Sequence, residues 1–292
     1  MFIKSFFIIL LSMKRKTLFT IFALLLLCIF QVPTFAENSL SSEDFAAIRN
    51  LLDYRPVLTS KSPEEALILI KEYRERLLTP ENKAKFTEQG NLILDSLLTS
   101  EEYNYYYEMD EKHPKLKEII FPHNEMLEKW IKSHTQEEIS ALLYVIAGDL
   151  LSCSMGLYPV PKAMEIGLVI KDYYDIALEK EPNIFFGNLN MAQWYFHAPA
   201  IGGGSKKKAD ELFKVALANT EGTGDEFYIN LIYSQFLYDQ KDEAKAATYF
   251  QKAYEIQPDS KKLALVKLLN DNGYTLFYYT LNRAKVEKKL GL

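Results

Sequence analysis

Hydrophobic residues recur along most of this chain at the three- and four-residue spacing of a helix face, with few of the alternating β-branched runs that mark strands. From position 42 onward the pattern predicts helices over 42–54, 63–78, 80–98, 100–110, 114–132, 136–155, 161–180, 184–197, 205–219, 224–239, 242–256, 259–271 and 274–290. Several starts are spelled out. Ser62-Pro63-Glu64-Glu65 combines a cap serine, a proline at the first helical position and a glutamate able to bond back to the cap amide. Thr99-Ser100-Glu101-Glu102 and Thr135-Gln136-Glu137-Glu138 carry the same box, and Thr79-Pro80 opens a helix without the glutamate. Pro122 is expected to break or kink the fifth helix, and Asn272-Gly273 to separate the last two. Connections are short and no Gly/Ser linker divides the chain, so one continuous all-α array is the economical reading.

Within that array the chain repeats itself. Phe185 to Phe196 aligns with Phe227 to Tyr238 at an offset of 42 positions, with Phe, Asn, Leu and Gln recurring identically. Each copy is followed by an alanine-marked second helix, Ala209-x₃-Phe213-x₂-Ala216 and Ala246-x₃-Phe250-x₂-Ala253, at an offset of 37, and the second copy closes on Pro258. Small side chains let paired helices approach while the aromatic fills the gap between them, which is what stacked helix hairpins require.

These residues resemble the tetratricopeptide repeat. Ser234, Ala246, Phe250, Ala253 and Pro258 occupy the family's small, alanine, aromatic, alanine and proline positions, whereas Asn230 and Leu237 stand where it has Trp and Tyr. A third copy is read from Tyr174-x₂-Ala177-x₄-Pro182, with Gly148 as its small residue. The resemblance implies a right-handed solenoid of antiparallel helix pairs. Its repeats span 136–258 (136–182, 184–220 and 227–258), after a divergent helical region at 37–135 and before a capping helix pair at 259–292.

The amino terminus changes the picture of where the chain works. Met13-Lys14-Arg15-Lys16 precedes an apolar run from Leu18 to Phe30, and Thr34-Phe35-Ala36 sets small residues at the two positions a signal peptidase reads. Residues 1–36 are therefore expected to be an export signal cleaved after Ala36, giving a periplasmic or secreted bacterial protein. A retained anchor and lipidation at Cys28 are the alternatives, and with them membrane attachment; translation from Met13 rather than Met1 would remove a second apolar run. Loss of Lys4, Lys14, Arg15 and Lys16 takes the net charge from −5 to −9. An acidic chain of this kind is expected to bind no nucleic acid. Cys153 is then left without an intramolecular partner.

The two aligned copies differ by five extra residues in His197-Ala198-Pro199-Ala200-Ile201-Gly202-Gly203-Gly204-Ser205, ahead of Lys206-Lys207-Lys208. Gly202, Gly203, Gly204, Ser205 and Lys206 could hold an anion on free amides at a helix start. Equally, the segment could be a widened turn capped by Ser205. From about Met191 to Ala216 the sequence is similar to the tetratricopeptide accessory component of tripartite ATP-independent periplasmic transporters. That resemblance implies a periplasmic protein beside a solute-binding receptor, holding a small apolar or carboxylated ligand.

The family's groove-lining positions fall here on Phe186, Leu189, Gln193 and Phe196, and again on Tyr228, Leu231, Gln235 and Tyr238. Leucines in place of lysines argue against a carboxylate clamp and for an apolar protein or peptide partner, unless a helix of the same chain fills the groove. Nothing in the sequence assembles an enzyme. His113, His123, His134 and His197 form no i,i+4 pair, no GxSxG is present, Cys153 sits in an apolar run, and Tyr103 to Tyr107 read as packing. A non-enzymatic binding protein without cofactor or metal is the expectation.

Overall fold

The computed structural model describes residues 40–292; the expected export signal and its cleavage site lie outside them. Among the described residues every regular element is helical: α1 Ser42–Leu58, α2 Pro63–Leu77, α3 Pro80–Lys83, α4 Glu88–Met109, α5 Lys115–Lys132, α6 Ala141–Ser154, α7 Val160–Lys180, α8 Phe185–His197, α9 Lys206–Ala218, α10 Thr223–Asp239, α11 Glu243–Ile256, α12 Lys261–Asp271, α13 Leu276–Leu281 and α14 Arg283–Leu290. The pairs α6/α7, α8/α9 and α10/α11 stack into a tetratricopeptide-like solenoid. None of these helices is long and apolar enough to cross a membrane.

The repeat register is visible in the packing. Ala209, Phe213 and Ala216 are fully buried, as are Ala253 and Ser234, with Ala246 nearly so. Gly148 is small for a specific reason: a Cβ there would lie 2.5 Å from Cε1 of Tyr174. The glycine lets the α6 backbone rest directly on the aromatic ring of its hairpin partner.

Several expected boundaries move. Thr99-Ser100-Glu101-Glu102 starts no helix but lies inside α4, which runs unbroken through the predicted gap, while only the short α3 follows Thr79. Its side chains are committed elsewhere: Thr99 Oγ1 donates to the Asp95 carbonyl and accepts from Arg74, Ser100 reaches Asp149, and Glu101 pairs with Arg55 at 2.5 Å. With these partners α4 is buried along most of its length, and tertiary contact overrides the local cap. The Thr135–Glu138 box forms but opens only a single 3₁₀ turn, and Ser140 caps α6. Helix α5 continues through Pro122. At the carboxyl end three helices stand where two were expected, because the chain breaks at Asn282.

Helix α1 does not remain with its sequence neighbours. Asp44 fixes its start to α4 by accepting from the Thr87 amide at 3.1 Å and hydroxyl at 2.7 Å, beside Gly90, where a Cβ would overlap the carboxylate. It then runs against α10. Gly224 donates its N–H to Asp53 at 2.8 Å, and a Cβ on Gly224 would lie 2.2 Å from the Leu52 carbonyl oxygen. Beyond α1, Thr59 donates from its hydroxyl to Ser260 at 2.8 Å and accepts from the Lys261 amide at 2.8 Å. The first helix of the described chain thus ties the divergent half to the last repeat.

Candidate functional site

The course of α1 decides what becomes of the expected groove. On α10, Leu231 and Gln235 are completely buried and Tyr228 and Tyr238 half-buried. The Arg55 guanidinium of α1 lies 4.6 Å over the Tyr228 ring. Gln235 accepts from the Leu276 amide at 3.0 Å, and the Tyr238 hydroxyl donates to the Asn270 carbonyl at 2.7 Å. On α8, Leu189 is buried, Phe186 and Gln193 are half-buried, and Phe196 packs on Phe277 with ring centroids 5.0 Å apart. The eight matched residues therefore do not form one open recognition stripe. Amides and aromatics at these positions find partners within the chain, and the α10 half of the groove is core.

The glycine loop is likewise a turn and not an anion cradle. The amides of Gly202 and Gly204 both donate to the Pro199 carbonyl, at 2.8 and 3.1 Å, Gly203 donates to Ala200 at 3.1 Å, and Ser205 to Tyr195 at 2.9 Å. No N–H of Gly202 to Ser205 is left for a ligand. Gly203 takes a φ of 96°, and a Cβ on Gly204 would lie 1.8 Å from the Ala198 carbonyl oxygen, so both positions need glycine for the backbone path itself. Ser205 caps α9 through the Lys208 amide, and Lys206 pairs with Asp239 at 3.0 Å.

What this turn borders is a cleft of about 660 Å³ formed by the carboxyl end of α6, the first half of α7, α8 and the 198–202 segment. Its walls are apolar: Met155, Met164, Leu168, Ile170, Trp194 and Pro199. Polar groups are contributed by Asp149, Ser152, Glu165, Tyr174, Asn190, Gln193 and His197. Of the expected site residues the structure brings two here, Gln193 and Gly202. The indole of Trp194 is held by its N–H donating to the Gly167 carbonyl at 3.0 Å, and Gln193 donates to Asn190 at 3.4 Å. Asp149 accepts from the Ser100 hydroxyl at a long 3.3 Å; burial raises its pKa, opposed by the nearby Arg55 charge.

The signal for this cleft is present in the sequence. Core residues of α7 are Ile166, Ile170, Tyr174 and Ala177, whereas Val160, Met164 and Leu168 repeat every fourth position and remain 73, 67 and 60 % exposed. This second apolar stripe at helical spacing, flanked by the two longest loops of the repeat region, is left uncovered by the chain.

The remaining candidates are structural. Tyr103 and Tyr105 are buried, and desolvation pushes the thiol of the free Cys153 up, which disfavours the nucleophilic thiolate. His113 stacks on Tyr106 and His134 on Trp130. No group of three potential metal ligands occurs among the described residues.

No family model matches the chain, and no curated protein matches it. Among solved structures the chain is similar to a human IFIT1 dimer with PPP-AAAA, at 17 % identity and a TM-score of 0.44, over 84 % of this chain and 55 % of that one. The chain thus spans about half the length of that structure. The expectation that nucleic acid is no partner is withdrawn: the similar structure is a dimer with PPP-AAAA, a property of that protein and not of this chain. Net charge sums over the whole chain, whereas binding is decided by local surface.

Proposed function

We propose that this is an exported, non-enzymatic helical-repeat protein whose α6–α7–α8 cleft holds a small, mostly apolar ligand. One observation carries the reading: about 660 Å³ of concave space, walled by methionine, leucine, isoleucine and tryptophan, with a few polar side chains among them. Ligand pockets span roughly 300–1,000 Å³ and show this division between apolar area for affinity and sparse polar groups for orientation. The α10 groove is occupied by the chain's own helices, and the cleft is larger and more apolar than the concavity of about 430 Å³ between α5, α6 and α7. Export rests on residues 1–36 and is tested separately by the amino-terminal sequence of the secreted form, expected to begin at Glu37.

The role of a transporter accessory protein is a narrower form of the same proposal. Its support is positional: Pro199 and Gly202, from the segment that resembles that family, border the cleft.

Uptake of a neutral apolar dye such as Nile red tests the cleft. Saturable binding is expected, with a large loss in the Met164→Gln, Leu168→Gln double variant, whose two sites are exposed and carry little of the fold. Equal uptake by the variant would place the binding surface elsewhere.

A further inference from the structure

Resting on that reading of the cleft, we infer that its ligand is cationic at the polar end: an apolar amine, in preference to the alcohol or carboxylate of the same length. The lining contains two carboxylates, Asp149 and Glu165, and neither lysine nor arginine. The cations nearby are already engaged. Lys162 pairs with Glu165 at 3.0 Å, Lys171 pairs with Asp175, and Arg55 pairs with Glu101 at 2.5 Å.

Asp149 is the group with capacity to spare. A carboxylate offers about four acceptor sites, and this one receives a single long hydrogen bond, from Ser100 at 3.3 Å. A donor arriving from the cleft would supply what the protein does not. The Trp194 ring, over which Lys171 Nζ already lies 5.6 Å from the centroid, shows that this aromatic wall accepts an ammonium, since the ring quadrupole attracts a cation and repels an anion. A ligand carboxylate would come up against the Asp149 carboxyl in a space whose lining holds no lysine or arginine to receive it, Lys162 being taken by Glu165. Among apolar ligands the cleft therefore selects against the carboxylated class that the transporter resemblance suggested.

Calorimetric titration of the protein at pH 7 with 1-octylamine, 1-octanol and octanoate separates the possibilities. The amine is expected to bind about tenfold or more tighter than the alcohol, the factor a charge-assisted hydrogen bond supplies, with octanoate weakest. Asp149→Asn should bring the amine down to the alcohol's affinity; Glu165→Gln, at the exposed rim, should weaken the amine less. If Asp149→Asn does not fold, the ranking on the unaltered protein decides. Octanoate binding as tightly as the amine, or an amine no better than the alcohol, would overturn the charge selection and leave the cleft intact as a site. Failure of all three to bind would overturn the cleft itself.

Discussion

Arg49 and Asp225 stand 176 positions apart and meet in a two-pronged ion pair, Nη1 to Oδ2 and Nη2 to Oδ1, at 2.7 Å each. Asp225 is 1 % exposed and also accepts from the Glu221 amide at 3.0 Å. This pair, together with Gly224 on Asp53, is how α1 is held along α10, and its geometry explains why the inner face of the last repeat is closed to partners. Removing Asp225 takes away the main partner of the partly exposed Arg49, which keeps only its contact to Asp53 at 3.3 Å, at a cost approaching roughly 3 kcal/mol. Asp225→Ala is expected to lose about that much in chemical denaturation. An unchanged midpoint would mean that α1 is not pinned by this contact.

The repeat register makes an independent prediction. Ala216 and Ala253 are both fully buried where paired helices approach. Enlarging either to leucine should destabilise the fold by roughly 1–3 kcal/mol, since an overpacked contact forces the helices apart. Denaturation midpoints of the two variants measure this, and wild-type values would show that the helices meet elsewhere.

Much of this was legible without coordinates, and the reasons are local. Ser62 with Glu65, Thr79 and Ser205 cap helices through atoms within one turn, so their spacing is sufficient to read. The small-aromatic-small series is likewise a local signature, and Ala209, Phe213 and Ala216 are buried where it places them. What could not be read depends on distant partners. Thr99 looks like a helix cap until its hydroxyl is seen to donate to the Asp95 carbonyl and to accept from Arg74, 25 positions away. Tyr228 and Gln235 look like a recognition surface until Arg55 and Leu276 cover them. The glycines of 202–204 suggest free amides until Pro199 and Ala200 supply their acceptors. The cleft lies between these cases: Met164 and Leu168 stand at helical spacing in the sequence, but only the way α6 and α8 lie beside α7 leaves them exposed.

Acid should reveal a partly buried histidine. His123 contacts the Ser96 hydroxyl at 2.9 Å, and burial, with the positive charge of Arg74 nearby, lowers its pKa to about 4. The unfolded chain, with an ordinary value near 6.5, binds the proton more readily than the folded one between those limits. The histidine therefore contributes its full stability above about pH 6.5 and loses it as pH falls toward 4, by roughly 2 kcal/mol. His123→Gln should flatten the stability profile across that window. A profile as steep as the parent's would assign the acid sensitivity to other groups.

The most direct test of the cleft uses the chain's own reporter. The sequence contains two tryptophans, Trp130 and Trp194, and only Trp194 lines the cleft. In a Trp130→Phe protein, titration with 1-octanol is predicted to shift Trp194 emission to the blue and to saturate, as ligand replaces water beside the indole. The complementary Trp194→Phe protein should show no saturable change. A flat, non-saturating response from Trp194, or an equal response from Trp130, would contradict the assignment of the α6–α7–α8 cleft as the binding site.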